Sequence, residues 1–104
     1  MDQHISLTDR IPDELLISRI VSGEKKLFEH IIRRHNQTLF RIGMSILNDD
    51  METEDAMQTA YINAYEHLSS FEMRSSFTTW ITRIMINECL ARKKKKLKEP
   101  VSII

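Results

Sequence analysis

The sequence predicts an all-α fold, a compact bundle of about four helices, and three observations carry that expectation. The 104 residues include only two glycines and two prolines, few for the many turns of a sandwich or barrel. Apolar residues recur at three- and four-residue steps over long stretches, the period of a half-buried helix. Proline, glycine and Asn-Asp punctuation then cuts those stretches into four segments. A chain of this length supports one domain around one modest core.

The first segment is Asp13 to Val21. Pro12 precedes it and Gly23 follows it, each where helices favour that residue, and Leu15, Leu16, Ile20 and Val21 supply its apolar side. The second runs from about Glu24 to Leu47, with Phe28, Ile31, Ile32, His35, Leu39, Ile42 and Ile46 on one stripe. His35 on that stripe reads as a satisfied core histidine. Asn48-Asp49-Asp50 breaks the pattern.

The third segment, roughly Thr53 to Leu68, buries Met57, Ala60, Tyr61, Ala64 and Leu68. Its other side shows Asp55, Gln58, Thr59, Ile62, Asn63 and Glu66, and the acids at its start suit the positive end of the helix dipole. After a connector, Ser69 to Ser75, a fourth helix begins near Ser76 or Phe77 and continues through the lysines. Ile81, Ile84, Met85 and Leu90 are expected to face inward, while Thr79, Arg83 and Asn87 share an outer face. Residues 1–12 are expected to be a flexible N-terminal segment, and EPVSII, residues 99–104, the start of a linker.

The formal net charge is zero, yet the charge is unevenly spread. Residues 49–72 carry seven acids and no Lys or Arg, whereas residues 73–104 carry eight bases and two acids. Two readings fit such asymmetry: separate working surfaces of opposite sign, or helix faces that complement each other.

Several classes of function are disfavoured. The four histidines are scattered and the single cysteine, Cys89, has no partner in the chain, so neither a metal site nor a cofactor is expected. No glycine-rich phosphate loop and no nucleophile–base constellation stand out, so the chain is not expected to be an enzyme. The start is too polar for a signal peptide and no apolar run reaches membrane-spanning length, so a cytoplasmic home is expected.

Two signals point to binding. The stretch Ser69 to Lys98 sets Phe71, Phe77 and Trp80 beside Arg74 and several hydroxyls, then ends in the run Arg92 to Lys96. Flat rings beside cations suit unpaired bases, which offer a π-face and a charged backbone, and a cationic run suits phosphates. The same rings could instead close a helical core, and the lysines could be a solvated tail. The second signal is Ile62, apolar among polar neighbours, as in a small protein-binding hot spot, although single exposed isoleucines are common.

Taken in order, these pieces resemble region 2 of the extracytoplasmic-function (ECF) sigma factors of bacterial RNA polymerase. The resemblance covers about residues 13–98 and rests on Asp55, Gln58, Tyr61, Ala64, Phe71, Ser76, Phe77, Trp80, Ile84 and Asn87, followed by Arg92 to Lys96. It implies a transcription initiation factor. Asp55, Gln58, Thr59, Ile62, Asn63 and Glu66 would dock on the β′ clamp helices of core polymerase. The melted −10 promoter strand would lie along Phe71, Arg74, Ser75, Ser76, Phe77, Thr79, Trp80, Arg83, Asn87, Arg92, Lys93 and Lys94, with one non-template base flipped into the connector. Thr59 stands where many members carry a second acid. An anti-sigma factor is a further implied partner. Members also carry a second domain, region 4, whose expected place lies past Ile104. The rival reading is a helical protein–protein interaction module without nucleic-acid function.

Overall fold

The computed structural model describes residues 10–98, so the expectations for residues 1–9 and for the linker at 99–104 lie outside the described residues. Among the described residues four helices follow in order: α1 (Asp13–Val21), α2 (Phe28–Leu47), α3 (Asp50–Glu66) and α4 (Phe77–Lys98). Single 3₁₀ turns at Lys25–Leu27 and Leu68–Ser70 lead into α2 and out of α3.

The helix ends follow from local chemistry. At the end of α1, Gly23 adopts φ +128°, and the Gly23 and Glu24 amides reach back to the Ile20 and Arg19 carbonyls at 3.0 Å each. This double return satisfies carbonyls that the helix leaves orphaned. Asn48 ends α2 in the left-handed region at φ 53°. Asp49 then caps α3, its side chain accepting the Glu52 amide at 2.9 Å. That cap moves the start of α3 three residues ahead of the predicted Thr53, which is fully buried.

α2, α3 and α4 pack against one another around Leu39, Ala56, Ala60, Ile81 and Met85, all without exposed surface. Gly43 lets them meet: a Cβ there would collide with the Thr53 methyl and stand 2.9 Å from Met85 Cε. The predicted inner face of α3 is buried as expected, from Met57 through Leu68. On α4 the buried stripe is Phe77, Ile81, Met85 and Cys89, a strict spacing of four. Leu90, expected inside, falls one position off that stripe and is 51% exposed. In α1 the buried set is Leu16, Ile17 and Ile20, with Leu15 and Val21 to either side of it in solvent.

α1 also grips the far end of the chain. Asp13 lies 2.9 Å from His35 Nε2 and accepts from Arg34 Nη1 at 3.0 Å. His35 is thus buried and partnered, as its place on the apolar stripe implied, and its ring meets Phe77 edge-on at 5.5 Å. Next to it, Glu14 Oε2 accepts the Phe77 amide at 3.1 Å.

Candidate nucleic-acid interface

The connector and the first turn of α4 form one end of the candidate interface. Ser76 caps α4: its Oγ accepts the Thr79 amide at 3.1 Å and donates to Thr79 Oγ1 at 3.0 Å. Together with the Glu14 carboxylate, this settles two of the free amides at the start of α4. Both hydroxyls remain exposed. Ser75 is half-buried, its hydroxyl turned to the Ser76 carbonyl at 3.3 Å. Arg74 is exposed and pairs with Glu72 at 3.1 Å. Met73 holds φ 58°, an uncommon conformation for a side chain of that size, and it turns the connector at this point.

The aromatics divide. Phe77 has no exposed surface and Phe71 has 9%. Their rings meet edge-on at 5.6 Å and belong to the core, so neither offers a face to a base, contrary to the expectation that both contact DNA. The physical reason is position: Phe77 opens the four-residue stripe that α4 buries. Trp80 lies one helical turn along, half-buried against Phe71 at 5.3 Å, with part of the indole at the surface.

Along the outer side of α4, Thr79, Arg83 and Asn87 are exposed as expected, and Lys93 to Lys96 continue the exposed surface. Among the described residues, Arg83 and these lysines make no ion pair. Arg92 differs. It is half-buried between α3 and α4, donating to Glu88 at 2.7 Å, Asp55 at 2.8 Å and Thr59 at 3.1 Å, with Glu52 at 3.6 Å. Burial pulls its pKa down, but the hydrogen bonds and charges of Asp55 and Glu88 more than offset this and raise it. The expectation that Arg92 holds a DNA phosphate therefore meets a cation already enclosed by three carboxylates. The spacing of Glu88 to Arg92, one helical turn, was the sequence signal for this.

The outward residues of α3 do not form one surface. Gln58 and Ile62, both exposed, line a groove of about 840 Å³ against α2, whose far wall includes Ile32 and Phe40. Asp55 and Thr59 turn to Arg92. Asn63 instead lines a cleft toward α4, and Glu66 is exposed at the end of the helix. His67 lines the same cleft, and the sequence reading gave it no role. No described helix is long and apolar enough to cross a membrane. Among the described residues no cluster of three or more His, Cys, Asp or Glu is placed to hold a metal ion.

Comparison with known proteins bears on these surfaces. The family described as Sigma-70 region 2 matches residues 31–98. The ECF RNA polymerase sigma factor SigM of Mycobacterium tuberculosis is 28% identical over 90 residues, 86% of this chain and 46% of that protein. The sigma-H factor of Pseudomonas aeruginosa is 32% identical over 75 residues, 72% of this chain and 39% of that one. The ECF sigma-E factor of Escherichia coli K12 is 30% identical over 81 residues, 78% of this chain and 42% of its own. The chain thus spans less than half the length of these relatives. Among solved structures, an engineered region 2 of sigmaE in complex with GTAAAA matches with a TM-score of 0.75 at 26% identity, covering 91% of this chain and all of that one.

Proposed function

Because the chain belongs to the sigma-70 region 2 family, we propose that it binds core bacterial RNA polymerase and holds the melted −10 promoter strand. The observation that carries this reading is the outer side of α4. Arg83, Asn87 and Lys93 to Lys96 run along one helix that begins at the connector, and the cations among them make no ion pair among the described residues. Cations so placed neutralise phosphates, and a helix capped at its start presents them in fixed order. The sigmaE relative was solved in complex with GTAAAA, and an oligonucleotide is the kind of ligand this face fits.

Arg74 and Ser75 in the connector, with Thr79 at the first turn, are the groups nearest to a base flipped from the strand. Unstacking a base costs a few kcal/mol, so melting depends on the polymerase and the domain alone binds duplex weakly. Polymerase docking falls to Gln58 and Ile62 and the groove they share with α2, with Asp55 contributing through its outward oxygen. The cytoplasm, where the polymerase works, is the compartment this implies, and an anti-sigma factor that covers the same groove is the further partner.

The test is a titration of labelled chain with core RNA polymerase, alongside a Gln58→Ala/Ile62→Asp variant. Both positions are exposed, so the variant keeps its fold. Tight binding that the variant loses supports the assignment. A folded chain that ignores polymerase favours an interaction module that uses the groove for another protein.

A further inference from the structure

The Arg92 guanidinium is shared between two helices. Its Nε donates to Glu88 at 2.7 Å, one turn back on α4. On α3, Nη1 donates to Asp55 Oδ2 at 2.8 Å and Nη2 to Thr59 Oγ1 at 3.1 Å. Glu88 thus aims the group from its own helix, and the Nη edge is what α3 covers. The acids on that edge are unequal. Glu52 stands off at 3.6 Å, so Asp55 supplies the one charged hydrogen bond. The Asp55 side chain is 67% exposed, and its Oδ1 has no partner among the described residues. It can move outward without disturbing the core. Arg92 also lines a cleft of about 430 Å³ with Lys95, Lys96, Glu52 and Glu88. Three cations there face two acids, and Asp55, bonded to Arg92, brings the balance to zero.

We infer that the Nη edge of Arg92 is a phosphate site masked by Asp55, and that a cation engaging Asp55 unmasks it. The inference rests on the readings above that α3 docks on polymerase and α4 holds a strand. A cationic side chain of the polymerase on Oδ1 draws the carboxylate away from Nη1. The cleft then carries one net positive charge, and the Nη edge turns to a backbone phosphate, for which the planar fork of arginine is suited. Nε stays on Glu88. The surrounding acids raise the pKa of Arg92, so the group is charged in both arrangements. Docking and strand binding therefore favour each other through one side chain, a coupling equal in both directions.

The experiment titrates the whole chain with a fluorescent thymidine hexamer over a range of salt, as wild type and as Asp55→Asn, which imitates a neutralised Asp55. One further phosphate contact steepens the dependence of log affinity on log salt by about 0.7, and Asp55→Asn should show that gain. Glu29→Gln, which removes an exposed acid of α2, should keep the wild-type slope, and Asp55→Asn/Arg92→Gln should lose the gain. If that double variant fails to fold, NMR of the Arg92 guanidinium takes its place: the strand should shift the Nη signals in Asp55→Asn and not in wild type. On core polymerase, the hexamer should tighten docking of the wild type more than that of Asp55→Asn. An unchanged slope in Asp55→Asn, an equal gain in Glu29→Gln, a gain that survives without Arg92, or equal tightening on polymerase would each overturn the inference while both readings stand. A folded chain that binds no strand at low salt would overturn the α4 reading with it, and one that ignores polymerase the docking reading.

Discussion

Arg92 of α4 and Asp55 of α3, 37 residues apart in sequence, meet in a hydrogen-bonded ion pair of 2.8 Å. The guanidinium also holds Glu88 and Thr59, so it fastens the acidic half of α3 to the basic end of α4. The uneven charge of the chain is therefore partly self-complementary. What remains for partners is the lysine surface beyond Arg92 and the exposed oxygens before it.

Replacing Arg92 by Ala should destabilise the fold by about 2 kcal/mol, the scale of hydrogen bonds to charged groups, because the carboxylates of Glu52, Asp55 and Glu88 would face one another. Arg92→Lys should recover little, since one ammonium lacks the planar fork that spans several acceptors. Urea denaturation checks this. Equal midpoints for all three proteins would show the cluster to be a solvated contact.

Glu14→Ala removes the acceptor of the Phe77 amide. The expected cost is about 1 kcal/mol, as for lost N-terminal caps generally. Hydrogen exchange at Phe77 should quicken while the middle of α4 stays protected. Unaltered protection at Phe77 would mean that Ser76 alone secures the helix start.

Burial pushes the Tyr61 phenol up to about 12 from its ordinary 10. Its hydroxyl donates within the fold toward the Ile32 carbonyl at 3.3 Å and Asn36 Oδ1 at 3.2 Å. The folded state thus keeps its proton at a pH where the unfolded chain has lost it. Stability from this group is whole below pH 10 and falls as pH rises toward 12. Urea midpoints across that window should drop more steeply for the wild type than for Tyr61→Phe. Parallel curves would exclude Tyr61 as the source.

Gly43→Ala places a methyl group where Thr53 already sits. Overpacking of this kind costs about 1–3 kcal/mol, which a thermal melt would register. A companion Thr53→Ser change, which removes the clashing methyl, should restore part of the loss.

Much of the fold was legible in the chain. Pro12 and Gly23 bracket α1 at its observed ends because both residues act through their own backbone. The inner face of α3 followed from Met57, Ala60, Tyr61, Ala64 and Leu68 at helical spacing. The failures share a cause. Asp49 was read as a breaker when it caps, since the same side chain does either depending on which amide comes next. Leu90 was misjudged because four-residue spacing on α4 decides burial more strictly than apolar character does. The division of the α3 residues among a groove, an ion cluster and a cleft depends on what α2 and α4 bring alongside, and no spacing within α3 records it. His67 lacked a signal of any kind, since the cleft it lines is completed by Trp80 and Ile84 across a helix gap.

The bond from Glu14 to Phe77 joins residues 63 apart in sequence, the first helix to the start of the last. A chain closed in this way gains little from partial assembly: α4 lacks its outer clasp until α1 has docked, and α1 is too short to persist by itself. Long-range closure of this sort slows folding and makes loss of order all-or-none. Any cut between Gly23 and Lys25 would therefore be felt at the connector before α4, some fifty residues away in the chain.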